Sequence, residues 1–311
     1  MQVYDINSFD LKNTAVALGH FDSIHKGHIK IIKKTVDYAK ENGLISVVYL
    51  FANEPLNIVL NANFKPLCTL KKRIELLETL GVDAVVTQEF DKTFMNIECR
   101  KFVELYLKEK LDAKAVFTGF NYHFGKNAEG DTEALKKICF SFNISVDVIE
   151  EEKVDGISVS TTQIKKFVEN GDMENTEKFL GRAYSLCGVV EHGNRIGTNI
   201  LKLPTANIQI PKDIIMPKYG VYISDVLIEG KSFNSLTNIG AKPTFNDNHK
   251  VIETHIFGEV QSIYGKKIEI LFRKYMRDIK KFKNAYDLSE QLKKDIYAAE
   301  IYFNNKNEVL L

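Results

Sequence analysis

The sequence lacks the features that would mark a secreted, membrane-bound or metal-scaffolded protein. Its four cysteines, Cys68, Cys99, Cys139 and Cys187, show neither metal-ligand spacing nor a pairing pattern, which suits reduced thiols and excludes a disulfide framework. No apolar run reaches the length of a membrane span, and Met1 to Asn13 offers neither the basic start nor the apolar core of a signal peptide. An excess of one charge is missing too. The 42 Lys and Arg stand against 41 Asp and Glu, a formal net charge of +1, so no global field draws the chain onto nucleic acid or a lipid surface. These absences lead to the expectation of a cytoplasmic protein whose partners are small molecules, with no nucleic acid and no membrane among them. No feature specifies an oligomeric state. Any anionic ligand must then be held by local chemistry.

What is present fits an ordinary globular protein, with 44% hydrophobic and 27% charged residues. The 311 residues suffice for two domains, at roughly 100 to 200 residues each. The most informative stretch runs from Thr14 to Asn42. An apolar run (Ala15, Val16, Ala17, Leu18) is followed by Gly19-His20-Phe21-Asp22, then by His25-Lys26-Gly27-His28, then by a segment with helical period. This pattern predicts a buried parallel strand ending in a tight turn, with two imidazoles at the opening of a helix. Ile29, Ile32, Val36 and Ala39 fall on one face of that helix. The free amides and positive dipole end of its first turn make an anion site to which His25 and His28 add donors, and a nucleoside triphosphate is the anion that fits best. A zincin would place its histidines four apart with a glutamate between them, and here they are three apart around a glycine.

Downstream, strand and helix alternate. Leu44 to Phe51, Ala84 to Thr87, Ala115 to Thr118 and Ile144 to Glu150 read as strands. Leu70 to Leu80, Glu98 to Lys110 and Asp131 to Phe140 read as helices, and Pro55 to Pro66 as an irregular connection. Alternation of this kind predicts an α/β domain with a doubly wound parallel sheet, whose ligands bind at the carboxyl ends of the strands. The residues after Leu18, Leu50 and Thr118 then share one rim. After Thr118 comes Gly119-Phe120-Asn121-Tyr122-His123-Phe124-Gly125, a loop that either clamps a planar ligand or caps the core. Ser160, Thr161 and Thr162 precede a helix; one caps it, and the others reach a phosphate beside Lys165, although plain capping is the simpler reading of that segment alone.

After Gly181 the alternation stops. Short strand-like stretches follow at Leu186 to Glu191, Ala206 to Ile210, Tyr219 to Ile228, Ser235 to Ile239, Val251 to Phe257 and Lys267 to Met276. They predict an antiparallel sheet or small barrel with a terminal helix over Leu288 to Phe303. The boundary is drawn near Arg182, giving domains 1–182 and 183–311. In the second domain Thr205 and Asn207, two apart in a strand, present both oxygens on one side, where they suit a magnesium ion bridging phosphates. His192 to Gly197 is a flexible, partly basic turn in which Gly193 and Gly197 would let backbone fold over those phosphates. Asn238-Ile239-Gly240 reads as a rigid loop, and Glu253 places a carboxylate on a strand.

Taken together, these motifs resemble the bacterial bifunctional riboflavin kinase and FMN adenylyltransferase family, also called FAD synthetase, over essentially the whole chain. Gly19 to Asp22 with His25 to His28 is similar to the family's nucleotidyltransferase signature. Gly119 to Gly125 and Ser160 to Thr162 are similar to its second and third adenylyltransferase motifs. Pro204 to Asn207, Gly220 to Tyr222, Asn238 to Gly240, Pro243 to Phe245, Glu253 to His255 and Tyr264 to Lys266 resemble the riboflavin kinase pattern in its usual order. The resemblance implies a Rossmann-like nucleotidyltransferase domain and a β-barrel kinase domain. It implies ATP and Mg2+ as cofactors, with riboflavin, FMN and FAD as substrates and products. It further implies Glu253 as general base, Thr205 and Asn207 at the metal, and His25 and His28 stabilising charge on the triphosphate. Gly19, Phe21, Asp22 and Gly27 belong with those histidines in nucleotide binding, and Asn121, Tyr122 and Phe124 hold the flavin side or the adenine.

Three departures stand out. Between Gly197 and Pro204 the family usually has an arginine and a second glycine, where this chain has Thr198 to Leu203 and one residue more. Its Phe-x-Pro-x-Pro segment is here Phe51-Ala52-Asn53-Glu54-Pro55, and Lys165 stands where arginine is common. The larger departure lies in the kinase half, so the alternative is a single-activity FMN adenylyltransferase with a weakened kinase domain. A non-catalytic flavin-binding regulatory protein is the third reading, and the retained His25, His28, Thr205, Asn207 and Glu253 argue against it.

Overall fold

All five residues of Thr14–Leu18 are buried, and this strand, β2, lies inside a six-stranded sheet. The other strands are β1 (Gln2–Asp5), β3 (Ile45–Phe51), β4 (Ala84–Gln88), β5 (Ala113–Gly119) and β6 (Ser145–Ile149), in the order β1-β4-β3-β2-β5-β6. Every pairing is parallel. In this computed structural model the described residues are 1–8, 11–191, 205–209, 211, 213–242, 247–258, 260 and 263–308. By packing, the chain divides into two units, Met1–Gln163 and Ile164–Leu311, so that helix α7 (Thr161–Asn170) begins in one and ends in the other.

In the first unit, alternate side chains of each strand enter opposite layers, as the pleat requires. Val16, Leu18, Val47, Tyr49, Val86 and Val116 pack with Phe102, Leu107 and Leu135 on one face. Ala15, Ala17, Val48, Leu50, Val85 and Phe117 pack with Ile31, Ile32, Val36 and Leu77 on the other. Both faces are therefore covered, as in a doubly wound sheet. From β2 the chain moves outward through β3 and β4, then crosses back to β5 and β6. The reversal falls between β2 and β5, where such sheets open a crevice at the carboxyl ends of their strands.

The helices of this unit are α1 (Lys26–Asn42), α2 (Pro55–Val59), α3 (Leu70–Thr79), α4 (Lys92–Met95), α5 (Cys99–Phe102) and α6 (Thr132–Phe140). Helix α1 buries Ile31, Ile32, Thr35, Val36 and Ala39 and stops at Gly43, whose φ of 65° favours a residue without Cβ. Part of the segment after Pro55, expected to be irregular, forms α2 instead. The helix expected over Glu98 to Lys110 starts as α5 and widens to π-helical pairing over Val103–Lys110.

In the second unit α8 (Met173–Leu180) ends at Gly181, which takes a left-handed conformation, as its position after the helical run predicts. Six antiparallel strands follow the short hairpin β7 (Lys153–Val154) and β8 (Ile157–Ser158) of the first unit. They are β9 (Tyr184–Val189), β10 (Thr205–Gln209), β11 (Gly220–Ile228), β12 (Lys231–Lys242), β13 (Asp247–Ile256) and β14 (Lys267–Arg277), ordered β10-β13-β12-β11-β14-β9. The two edges meet: the Glu191 amide donates to the Asn207 carbonyl at 2.8 Å, closing the sheet toward a barrel. Inside stand Tyr222 and Phe272 together with a chain of buried hydroxyls, Ser235–Ser224–Thr237–Thr254, linked at 2.7 to 2.9 Å. The terminal helix α9 (Ala285–Glu308) lays Ala299 and Phe303 on Val221, Ile223 and Leu236.

Candidate active site

The turn after β2 is tightly specified. A Cβ on Gly19 would lie 2.8 Å from the Phe21 ring, and Phe21 (φ 46°) and Ile24 (φ 47°) both adopt left-handed backbone. Non-glycine residues hold that conformation at a cost of about 1 to 3 kcal/mol each, tolerated where surrounding packing enforces it. Phe21 and Ile24 are here fully buried. Asp22 is buried as well, and its carboxylate accepts from the Leu67 amide at 2.9 Å. Phe21 and Asp22 thus build the turn beneath the rim.

His25 is the N-cap of α1: its Nδ1 accepts the His28 amide at 3.2 Å. A neutral His25 ring therefore carries its proton on Nε2. The His28 ring stacks on it, with centroids 3.6 Å apart and planes 12° from parallel, and Phe21 meets His28 edge-on at 5.1 Å. Gly27 leaves room for this arrangement, since a Cβ there would sit 3.2 Å from the His25 ring.

These residues wall a cavity of about 870 Å3 at the carboxyl rim. It is lined by Gly19, His20, His25, Gly27 and His28 after β2, by Phe51 at the end of β3 with Glu54 and Pro55 beyond it, and by Thr118 to Gly125 at the end of β5 and in the loop that follows. Ser160, Thr161 and Thr162 line it from the start of α7. The Ser160 hydroxyl accepts the Gln163 amide at 3.3 Å and so caps that helix, on which Lys165 also lies. Asn121, Tyr122 and Phe124 all face the cavity, with the Tyr122 and Phe124 rings stacked at 5.8 Å. The loop beyond them is pinned by close packing. Gly125 and Gly130 leave space for the Cys99 thiol, which would be 2.3 and 2.7 Å from their added Cβ atoms.

Some features of the cavity carry no local sequence signal. Tyr49, in the middle of β3, lines it with a buried hydroxyl that has no hydrogen-bond partner among the described residues. Burial raises the Tyr49 and Tyr122 phenols above their ordinary value, so both remain neutral donors. His20 and Glu54 face each other across the turns after β2 and β3, with Nε2 3.4 Å from Oε1. Periodicity reveals neither feature: the Tyr49 hydroxyl lies within an apolar strand run, and the His20–Glu54 contact joins residues distant in the chain.

In the second unit, register brings candidate residues together. Asn207 of β10 and Asn238 of β12 are the two cross-strand neighbours of Glu253 in β13. Directly paired residues share a face of the sheet, so the two amides flank the carboxylate. Thr205 opens β10 and pairs with His255. Asn238 to Gly240, expected as a loop, lie within β12. Gly193 and Gly197 lie outside the described residues, as do Pro204 and Pro243 to Phe245.

A histidine-bearing turn and helix at the switch point of a parallel sheet, followed by a small antiparallel barrel, defines a doubly wound α/β protein with a second, β domain and a cavity where such sheets bind their ligands. Comparison with known proteins sharpens the class. The FAD synthetase family model matches residues 8–163, and the riboflavin kinase family model matches residues 180–303. A bifunctional riboflavin kinase/FMN adenylyltransferase of Buchnera aphidicola subsp. Schizaphis graminum is 33% identical over 94% of this chain and 95% of its own. Its counterpart in Haemophilus influenzae is 32% identical over 95% and 96%. A crystal structure described as a macrolide-efflux protein from Streptococcus pneumoniae superposes with a TM-score of 0.87 at 27% identity, covering 96% of this chain and 98% of that one. Among the described residues, no helix here is long and apolar enough to cross a membrane. The chain belongs to the family of bifunctional riboflavin kinases/FMN adenylyltransferases.

Proposed function

We propose that the chain makes FAD in two ATP-dependent steps. In the second unit the 5′-hydroxyl of riboflavin attacks the γ-phosphate of ATP, giving FMN and ADP. Glu253 takes the hydroxyl proton as general base. Asn207, the cross-strand neighbour of Glu253, and Thr205 at the start of the same strand would supply hard oxygen donors of the kind Mg2+ prefers, and an ion held by them would neutralise charge on the phosphates. In the first unit the FMN phosphate attacks the α-phosphate of a second ATP, giving FAD and pyrophosphate without a covalent enzyme intermediate. His25, His28 and the first amides of α1 stabilise charge on the triphosphate. Ser160 to Thr162 and Lys165 belong to the same nucleotide site, and Asn121, Tyr122 and Phe124 hold the planar part of a substrate.

The observation that carries this reading is the stacked His25–His28 pair at the start of α1, on the wall of a cavity at the sheet's switch point. Asn207 and Asn238 flanking Glu253 support activity in the second unit as well, against a chain competent only in adenylylation. The test is a time course with purified protein, riboflavin, ATP and magnesium, separating the three flavins by chromatography. FMN is expected to appear first and to convert to FAD with one pyrophosphate released per FAD. Release of neither ADP nor pyrophosphate overturns the reading.

A further inference from the structure

Among the described residues that line the cavity there is no lysine and no arginine, Lys165 of α7 not being one of them; the lining side chains able to carry positive charge are His20, His25, His28 and His123. Yet the reaction proposed above brings two phosphate groups together in this cavity, and a near-attack arrangement needs the reacting atoms about 3 to 3.5 Å apart. The incoming phosphate therefore needs a partner of its own beside the triphosphate. His25 and His28 are stacked on one another at the start of α1, and the reading above assigns them, with the helix's first amides, to the triphosphate. His123 lies on the exposed loop after β5, with Nδ1 3.1 Å from the Asn121 carbonyl. His20 is placed differently. It directly follows Gly19 at the end of the central strand, on the turn that leads into α1, with its side chain 38% exposed.

What sets His20 apart is Glu54. That carboxylate is only 6% exposed, lines the same cavity, and stands 3.4 Å from His20 Nε2. Glu54 Oε1 is buried without a hydrogen-bond partner among the described residues and lies within ion-pair range of that ring nitrogen, so it complements positive charge on the imidazole at the cavity wall. The pair joins the turn after β2 to the turn after β3, and neither residue has a role in the site as described so far.

We propose that His20, held by Glu54, binds the phosphate of the incoming FMN and positions it for attack. The inference rests on the adenylyl-transfer reading of the first unit. In that step an oxygen of the FMN phosphate forms a bond to the α-phosphorus of ATP as the bond to the bridging oxygen breaks and pyrophosphate leaves. His20 neither gives nor takes a proton; it offsets the dianion's charge. Glu54 acts through His20 and is a positioning residue.

The test is steady-state FAD formation from FMN and ATP by the full chain carrying His20→Ala, His20→Gln or Glu54→Gln, with phosphorylation of riboflavin by the same preparations as the internal control. Losing one charge-assisted hydrogen bond is expected to raise the KM for FMN about tenfold or more in His20→Ala. In that variant the KM for ATP and the riboflavin kinase rate should stay near the parental values. His20→Gln, which keeps a donor without the charge, should recover part of the loss, and Glu54→Gln should give a smaller rise of the same kind. A KM for FMN within twofold of the parent in both His20 variants overturns the proposal, as does a rise in the KM for ATP alone. If the unaltered protein makes no FAD from FMN and ATP, the adenylyl-transfer reading itself has failed.

Discussion

Gly27 is a residue at which an effect on activity can be told apart from an effect on stability. It occupies the first turn of α1, and a Cβ there would come 3.2 and 3.3 Å from Cε1 and Nδ1 of His25. The neighbour must give by a few tenths of an ångström, and that neighbour is the imidazole stacked on His28. In a helix, alanine is favoured over glycine by about 1 kcal/mol. Gly27→Ala is therefore expected to leave the melting temperature unchanged or slightly raised while lowering kcat/KM for FAD formation about tenfold, because misplacing a catalytic group by a fraction of an ångström is costly. Thermal unfolding and kinetics on one preparation check it, and unchanged kinetics would mean that the His25 ring has no fixed role. Gly19 and Gly27 were visible in the sequence because an apolar strand run precedes them and a helical period follows. The left-handed backbone at Phe21 and Ile24 was not, since neither residue type announces it; burial of both side chains enforces it. The His20–Glu54 contact was equally hidden, because only the parallel pairing of β2 with β3 brings the two following turns together.

At the level of elements, the strands that a reader of the sequence finds are those buried on both sides. β2 and β3 are nearly continuous apolar runs, and they stand where expected to within a residue. β1 was missed because it has four residues, three of them exposed, at the edge of the sheet. Gly240 misled in the other direction. Its glycine suggested a loop, but it lies within β12, where an added Cβ would fall 2.1 Å from the Ile279 side chain, so it marks a close approach. The missing proline after β3 has a structural replacement. Asn53 both donates to the Phe90 carbonyl at 2.9 Å and accepts the Phe90 amide at 2.8 Å, tying the segment after β3 to the one after β4. Helix α9 depends on a comparable tie. Asp295, almost fully buried, takes Arg277 through both oxygens and also accepts from Gln291 at 2.9 Å. Removing one partner of a buried pair leaves an uncompensated charge, at about 3 to 5 kcal/mol. Asp295→Ala is expected to destabilise the second unit by that amount in urea unfolding followed by circular dichroism. A loss below about 1 kcal/mol would show the pair to be a surface-like contact of little weight.

Across the whole molecule, the change from alternating to purely β patterning after Gly181 was the most legible feature, and two sheets of opposite kind follow from it. The packing division at Gln163 and Ile164 was not legible, because α7 and α8 have ordinary amphipathic patterns that do not say which sheet they cover. Arg273 shows what decides the matter for α8: from β14 it reaches Glu177 of that helix and Asp225 of β11, both at 2.7 Å. Each unit carries its own candidate chemistry, with His28 in one and Glu253 in the other, so the two steps should be separable by single substitutions. His28→Ala is expected to abolish FAD formation from FMN while FMN still forms from riboflavin at near the parental rate. Glu253→Gln is expected to do the reverse, lowering riboflavin phosphorylation at least a hundredfold, the usual contribution of a general base, while supplied FMN is still adenylylated. Chromatography of the three flavins, started from riboflavin in one assay and from FMN in another, distinguishes the outcomes. Loss of both activities in either variant would show that the two sites do not work independently, and normal phosphorylation by Glu253→Gln would place the base on another residue.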